Sequence, residues 1–175
     1  RLGELDWTEQ FVQQHQQFLE KQHRRSTAAF NLARVAYARR DYGAALARAD
    51  RLPEAIAQWE HVVRLEPDKP AAHAALGGAL GQAGRWEEAL ARFQAALRLA
   101  PNDAELHVNV GVALGSLGRM PEAVAELMTA LRLRPDLVDA HANLGQILRS
   151  LGRTLEAAEH LDEAERLRHR ASRRP

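Results

Sequence analysis

Residues 70–103, PAAHAALGGALGQAGRWEEALARFQAALRLAPND, align without a gap on 104–137, AELHVNVGVALGSLGRMPEAVAELMTALRLRPDL, and the same frame continues over 138–171. No other feature constrains the fold as much. A unit of 34 residues is too short to bury a core alone, so each copy must stack on its neighbours. In every copy Leu76, Val110 and Leu144 precede Gly77, Gly111 and Gly145. Further on come Gly84, Gly118 and Gly152, then Ala89, Ala123 and Ala157, and last Ala96, Ala130 and Ala164.

These places read as a helix, a turn and a second helix. The glycines at 84, 118 and 152 follow an apolar helical pattern and precede Arg, as expected where a helix ends in a left-handed residue. Gly77, Gly111 and Gly145 fall inside the first helix, where glycine costs about 1 kcal/mol against alanine. That cost predicts the close approach of another backbone. The repeated alanines let the second helix pack at short range. Pro101 and Pro135 follow LRLA and LRLR and stop the second helix before the next copy.

The pattern resembles the tetratricopeptide repeat, whose period is 34 residues. Phe93 fills its aromatic place, where Leu127 and Leu161 stand in the later copies. His169 stands where proline is expected, so the last helix should run on. The resemblance implies an all-α fold, a right-handed α-solenoid of antiparallel helix pairs.

Upstream, LPEAIAQWEHVVRLEPD (52–68) reads as a second helix with Ala55, Trp59, Val62 and Pro67 in place. Its first helix fits two frames: one long helix over 27–49, or a damaged repeat from 26 to about 50 that overlaps the next. The long helix is preferred because no proline interrupts 26–52. Residues 4–23, with Trp7, Phe11 and Phe18 on one face, predict an amphipathic helix that caps the array; a remnant of a preceding domain or a dimerisation helix is the alternative. The expected organisation is therefore 1–25 capping helix, 26–69 imperfect repeat, repeats at 70–103, 104–137 and 138–171, and a basic tail over 172–175. A start at Arg1 suggests a piece of a longer or processed chain.

Chemistry finds little support. There is no HExxH, GxSxG or GxxxxGK[ST] motif and no cysteine, so no catalytic residue and no cofactor is expected. Basic and acidic residues number 24 and 23, a balance that does not favour nucleic acid. The arginine-rich stretch 166–174 lacks the aromatics of a stacking platform. No run of 18 apolar residues suggests a membrane span, and a cytoplasmic location is expected. His73, His107 and His141 recur every 34 residues, but stacked copies lie roughly 10 Å apart per helix layer, too far to share a metal ion. They are expected to pack between paired helices, and His61 and His160 to lie at the surface or its boundary.

What remains is the face lined by the first helices, which in the resembled family is concave and binds partners. Lysine marks a carboxylate clamp in that family, but Ala74, Val108 and Ala142 take its place, so no clamp is expected. The arrays of O-linked N-acetylglucosamine transferases carry an asparagine ladder that grips a peptide backbone. Asn109 and Asn143 match it, Ala75 does not, and Asn31 matches only in the alternative upstream frame. The resemblance thus implies a non-catalytic protein or peptide scaffold. Apolar contacts would come from Ala74, Val108, Val112 and Ala142, backbone contacts from Asn109 and Asn143, and a polar end from Gln146 and Arg149. The alternatives are self-association as an assembly module and service as the regulatory arm of a larger enzyme.

Overall fold

The computed structural model describes residues 51–172. The expected capping helix, the choice between one long helix and two over 26–50, and the tail beyond 172 lie outside the described residues. Seven helices occur within them and no strand: α1 (Leu52–Leu65), α2 (Pro70–Gln82), α3 (Trp86–Leu99), α4 (Ala104–Ser116), α5 (Met120–Leu133), α6 (Val138–Ser150) and α7 (Thr154–Ser172). The chain is an all-α solenoid of helix pairs: α2 with α3, α4 with α5, α6 with α7.

Local chemistry sets the ends of the helices. Gly84, Gly118 and Gly152 have φ of 75°, 74° and 77°, and each following Arg N–H reaches back to the carbonyl of Leu80, Leu114 or Leu148 at 2.9 Å. This is the left-handed helix stop read from the repeat. The second helices begin with a device the sequence analysis passed over. Arg51, Arg85, Arg119 and Arg153 each grip the glutamate three residues on through both carboxylate oxygens, with Nε–Oε1 distances of 2.7, 2.6, 2.7 and 2.7 Å. The hydrogen bond from Arg holds the carboxyls of Glu88, Glu122 and Glu156 below the usual range. These pairs are exposed, so they orient the turn more than they stabilise the fold. Arg51 and Glu54 carry the same motif, which puts 52–65 in the common frame.

Inside a pair, the residue that forces glycine is a side chain. A Cβ on Gly77 would stand 2.7 Å from Cε1 of Phe93, one on Gly111 2.8 Å from Cγ of Leu127, and one on Gly145 2.7 Å from Cγ of Leu161. The expected backbone approach is secondary: the carbonyls of Ala123 and Ala157 stand at 3.3 and 3.1 Å from the latter two positions, farther than the side-chain atoms. Helix pairing is thus a lock of large side chain into missing side chain, which explains why Phe93 and Leu127 can exchange places.

The core runs between the layers. One cluster joins α1 to α5 through Trp59, Val62, Leu76, Leu80, Phe93 and Leu114, and a second joins α4 to α7 through Leu127, Leu144, Leu148 and Ala157. Each second helix packs on the next first helix. First helices also touch one another, α2 with α4 and α4 with α6, whereas among the described residues second helices have no comparable contact. That asymmetry curves the array and puts the first helices on the inside of the bend. Where α3 and α5 stop after 14 residues, α7 continues for 19, with His169 at the place of Pro101 and Pro135.

Candidate functional site

Along the inside of the bend the first helices present small and polar side chains. Ala74, Ala142, Asn109, Asn143 and Val112 are half-buried, and Gln146 and Arg149 are exposed. Val108 departs from the expectation. It is 7% exposed and belongs to the core cluster with Leu127, Ala130 and Ala140, so its surface is spent inside the protein. Ala74 and Ala142 stand at the same place of their units, so the difference is one of side-chain length: the γ-methyls of valine extend into the cluster, where alanine ends at Cβ.

The floor is open at its first unit. A Cβ built on Gly78 meets nothing within 4 Å, in contrast to Gly77 beside it. At the second unit Glu105 is held by Arg134 from the end of α5 at 2.6 Å, so the acid at the rim is paired.

The two asparagines are not equivalent. Nδ2 of Asn143 donates to the carbonyl of Asp139, one turn back on its own helix, at 2.8 Å. This leaves Asn143 one N–H and its carbonyl for a partner. The interaction reflects local helix geometry and could not be read from the spacing of the repeat.

The histidines carry a different logic. Nε2 of His73, His107 and His141 lies 2.9, 3.1 and 3.0 Å from the carbonyls of Pro67, Pro101 and Pro135, so each imidazole ties its helix to the turn before it. The carbonyl follows the end of the preceding second helix, where orphan acceptors need donors. His73 is 8% exposed and the other two are half-buried, in keeping with packing between helices. His160, read as a boundary residue, is the neighbour of His141: their Nδ1 atoms are 2.9 Å apart. Glu126 takes the same place against His107 at 2.7 Å. Both partners stand 19 residues after their histidine, a spacing visible in the sequence once the pairing of the helices is known.

A family model described as TPR repeat matches residues 79–118 and 113–152, and one described as tetratricopeptide repeat matches 138–168. No curated protein sequence matches the chain. Among solved structures, MamA superposes with a TM-score of 0.71 at 18% identity, covering 79% of this chain and 81% of that one. MamA from Desulfovibrio magneticus RS-1 gives 0.70 at 23% identity, covering 77% and 76%. The first TPR of Spaghetti (RPAP3), bound to the HSP90 peptide SRMEEVD, gives 0.65 at 19%, covering 68% and 94%. These likenesses show the fold. With the matched segments together spanning 79–168, slightly more than half of the 175 residues, the chain belongs to the tetratricopeptide repeat family.

Proposed function

We propose that the chain is a non-catalytic scaffold that binds an extended peptide or a helix of a partner protein along the inside of the array. The observation that carries this reading is the pair of asparagines, Asn109 and Asn143, at one place of successive first helices, flanked by the small side chains Ala74 and Ala142 and by Val112. An asparagine offers both a donor and an acceptor, the pair of functions a peptide backbone needs, whatever its side chains. The contribution is unequal. Asn109 has its amide free of the i−4 bond that engages Asn143, so Asn109 is the stronger grip. A peptide-bound TPR among the similar structures supports the class of ligand, and the absence of lysine at 74, 108 and 142 argues for a grip on the backbone over one on a terminal carboxylate.

Peptides selected from a random library against the wild-type chain test this. Asn109→Ala with Asn143→Ala should weaken the selected peptides about 10- to 100-fold, from about 1–3 kcal/mol of lost hydrogen bonding, at unchanged helicity. Affinity unchanged in the folded double variant would sink the reading.

The rival reading, self-assembly through the open end of the array, draws on the exposed Leu151 and Leu155, 43% and 82% accessible at the turn between α6 and α7. It meets the polar outer face of α7 described below.

A further inference from the structure

The three equivalent histidines differ in the protons they require. A carbonyl oxygen only accepts, so Nε2 of each ring must carry the hydrogen that points at its proline carbonyl. Nδ1 is then the variable atom. In His73 it is buried without a partner. In His107 it faces Oε2 of Glu126 at 2.7 Å, so an imidazolium against a carboxylate satisfies both nitrogens. In His141 it faces Nδ1 of His160 at 2.9 Å, where one ring must accept and the other donate. With its Nε2 hydrogen committed to Pro135, His141 supplies the lone pair and His160 the N–H.

The geometry suits a proton and not a metal ion. Ring centroids 5.2 Å apart are what two imidazoles show when they meet nitrogen to nitrogen at 2.9 Å, so the N–H of one ring and the lone pair of the other face each other along one line. A bridging metal would need both to converge on a point about 2.0–2.1 Å from each nitrogen.

We propose that the contact between His141 and His160 is a proton-counting latch that holds α7 against α6 while at most one ring is charged and opens when both are. A first added proton goes to Nε2 of His160 and leaves the shared hydrogen in place. A second puts hydrogen on both Nδ1 atoms, and the rings then repel by charge and by contact. On α7, Glu156 and Glu159 act on His160 and favour its charged form, although Glu156 is engaged by Arg153. Across the contact stands His141 on α6. The turn that enters α6 contributes Arg134, paired with Glu105, and Asp136.

Burial, and then the neighbouring His141, hold His160 below the ordinary histidine range. With one proton added the shared hydrogen can rest on His141, so the charge that opposes His160 is that of His141. The proton resisted is the second of the pair, which the folded protein binds less readily than the unfolded chain, whose histidines titrate near about 6.5. The stability of the contact is complete above that value and is lost as pH falls below it. Because α7 has a described neighbouring unit on one side only, the loss should appear as local opening of α7 while α4 and α5 stay closed.

Amide hydrogen exchange of the full chain at pH 7.5 and 5.0, corrected for the intrinsic dependence on pH, tests the latch. Protection of α7 relative to α5 should fall about tenfold. The variant His160→Glu rebuilds the arrangement of His107 and Glu126, and should abolish that fall. Equal loss in α5 and α7, or a fall that persists in His160→Glu, overturns the proposal. Ring resonances of the wild-type chain give a second readout that does not depend on the variant folding. His141 and His160 should titrate as a coupled pair in two steps, and independent single-step curves also overturn it.

Discussion

The units 70–103 and 138–171 share a helix pair and present opposite chemistry. In the first, the inside of the bend is alanine and glycine, and the outer side of its second helix carries Trp86, Leu90 and Leu97, each buried or half-buried. In the last, the inside carries Asn143, Gln146 and Arg149, and the three positions equivalent to Trp86, Leu90 and Leu97 are Thr154, Ala158 and Glu165, all exposed. The preceding unit has Met120, Val124 and Leu131 there, all half-buried. The same scaffold thus offers a seat for a following unit three times, counting α1 with Leu52, Ile56 and Val63, and then a polar surface. Residues that make a repeat a repeat lie between its helices, and residues that make one unit differ from another lie on the faces that meet something else. The longer α7 adds to the contrast. Beyond the point where α3 and α5 stop, it forms with the start of α6 a cleft of about 300 Å³ between Val138, Leu167 and Ala171, rimmed by Asp136 and Arg170.

Three experiments probe how far the end unit differs from the interior. The largest effect is expected at the aromatic place of the repeat. Leu127 is fully buried, and Leu127→Ala should cost about 2–5 kcal/mol in urea denaturation, while the half-buried Leu161, at the same place in the last unit, should cost clearly less. Equal costs would mean that the end unit is packed as tightly as the interior. Next, Gly77→Ala should destabilise by about 1–3 kcal/mol, because the rigid ring of Phe93 must move, while its neighbour Gly78→Ala should stabilise by about 0.5–1 kcal/mol through helix propensity alone. Thermal melts that rank the two variants the other way would refute the side-chain lock. The smallest change in stability, well under 1 kcal/mol for exposed positions, is expected for Ala158→Leu with Glu165→Leu. That variant gives α7 the outer face of an interior unit and should self-associate in sedimentation velocity where the wild type does not. A wild-type chain that already associates through α7 would instead favour the assembly reading.

The helix pairs, the glycine stops and the solenoid were legible in the sequence because they depend on residues close in the chain or equivalent in successive copies. The candidate groove was legible only in part. Its frame follows from the repeat, yet Val108 is spent in the core and Asn143 is engaged by its own helix, and both outcomes depend on the direction a side chain takes from a given turn. The pairs Arg85 with Glu88 and Arg119 with Glu122 were open to reading, since the motif recurs at each second helix; a search for apolar and small residues alone passes over it.

The unit, its period, its turns and the class of architecture follow from residue order alone, since steric rules for glycine and proline and the burial of an apolar stripe act locally. What meets across the pair comes from packing: Phe93 over Gly77, Glu126 against His107, His160 against His141. Those contacts join residues 16 and 19 positions apart whose approach is set by how two helices lie against each other, and identical histidines acquire different chemistry from whatever the opposite helix happens to place there.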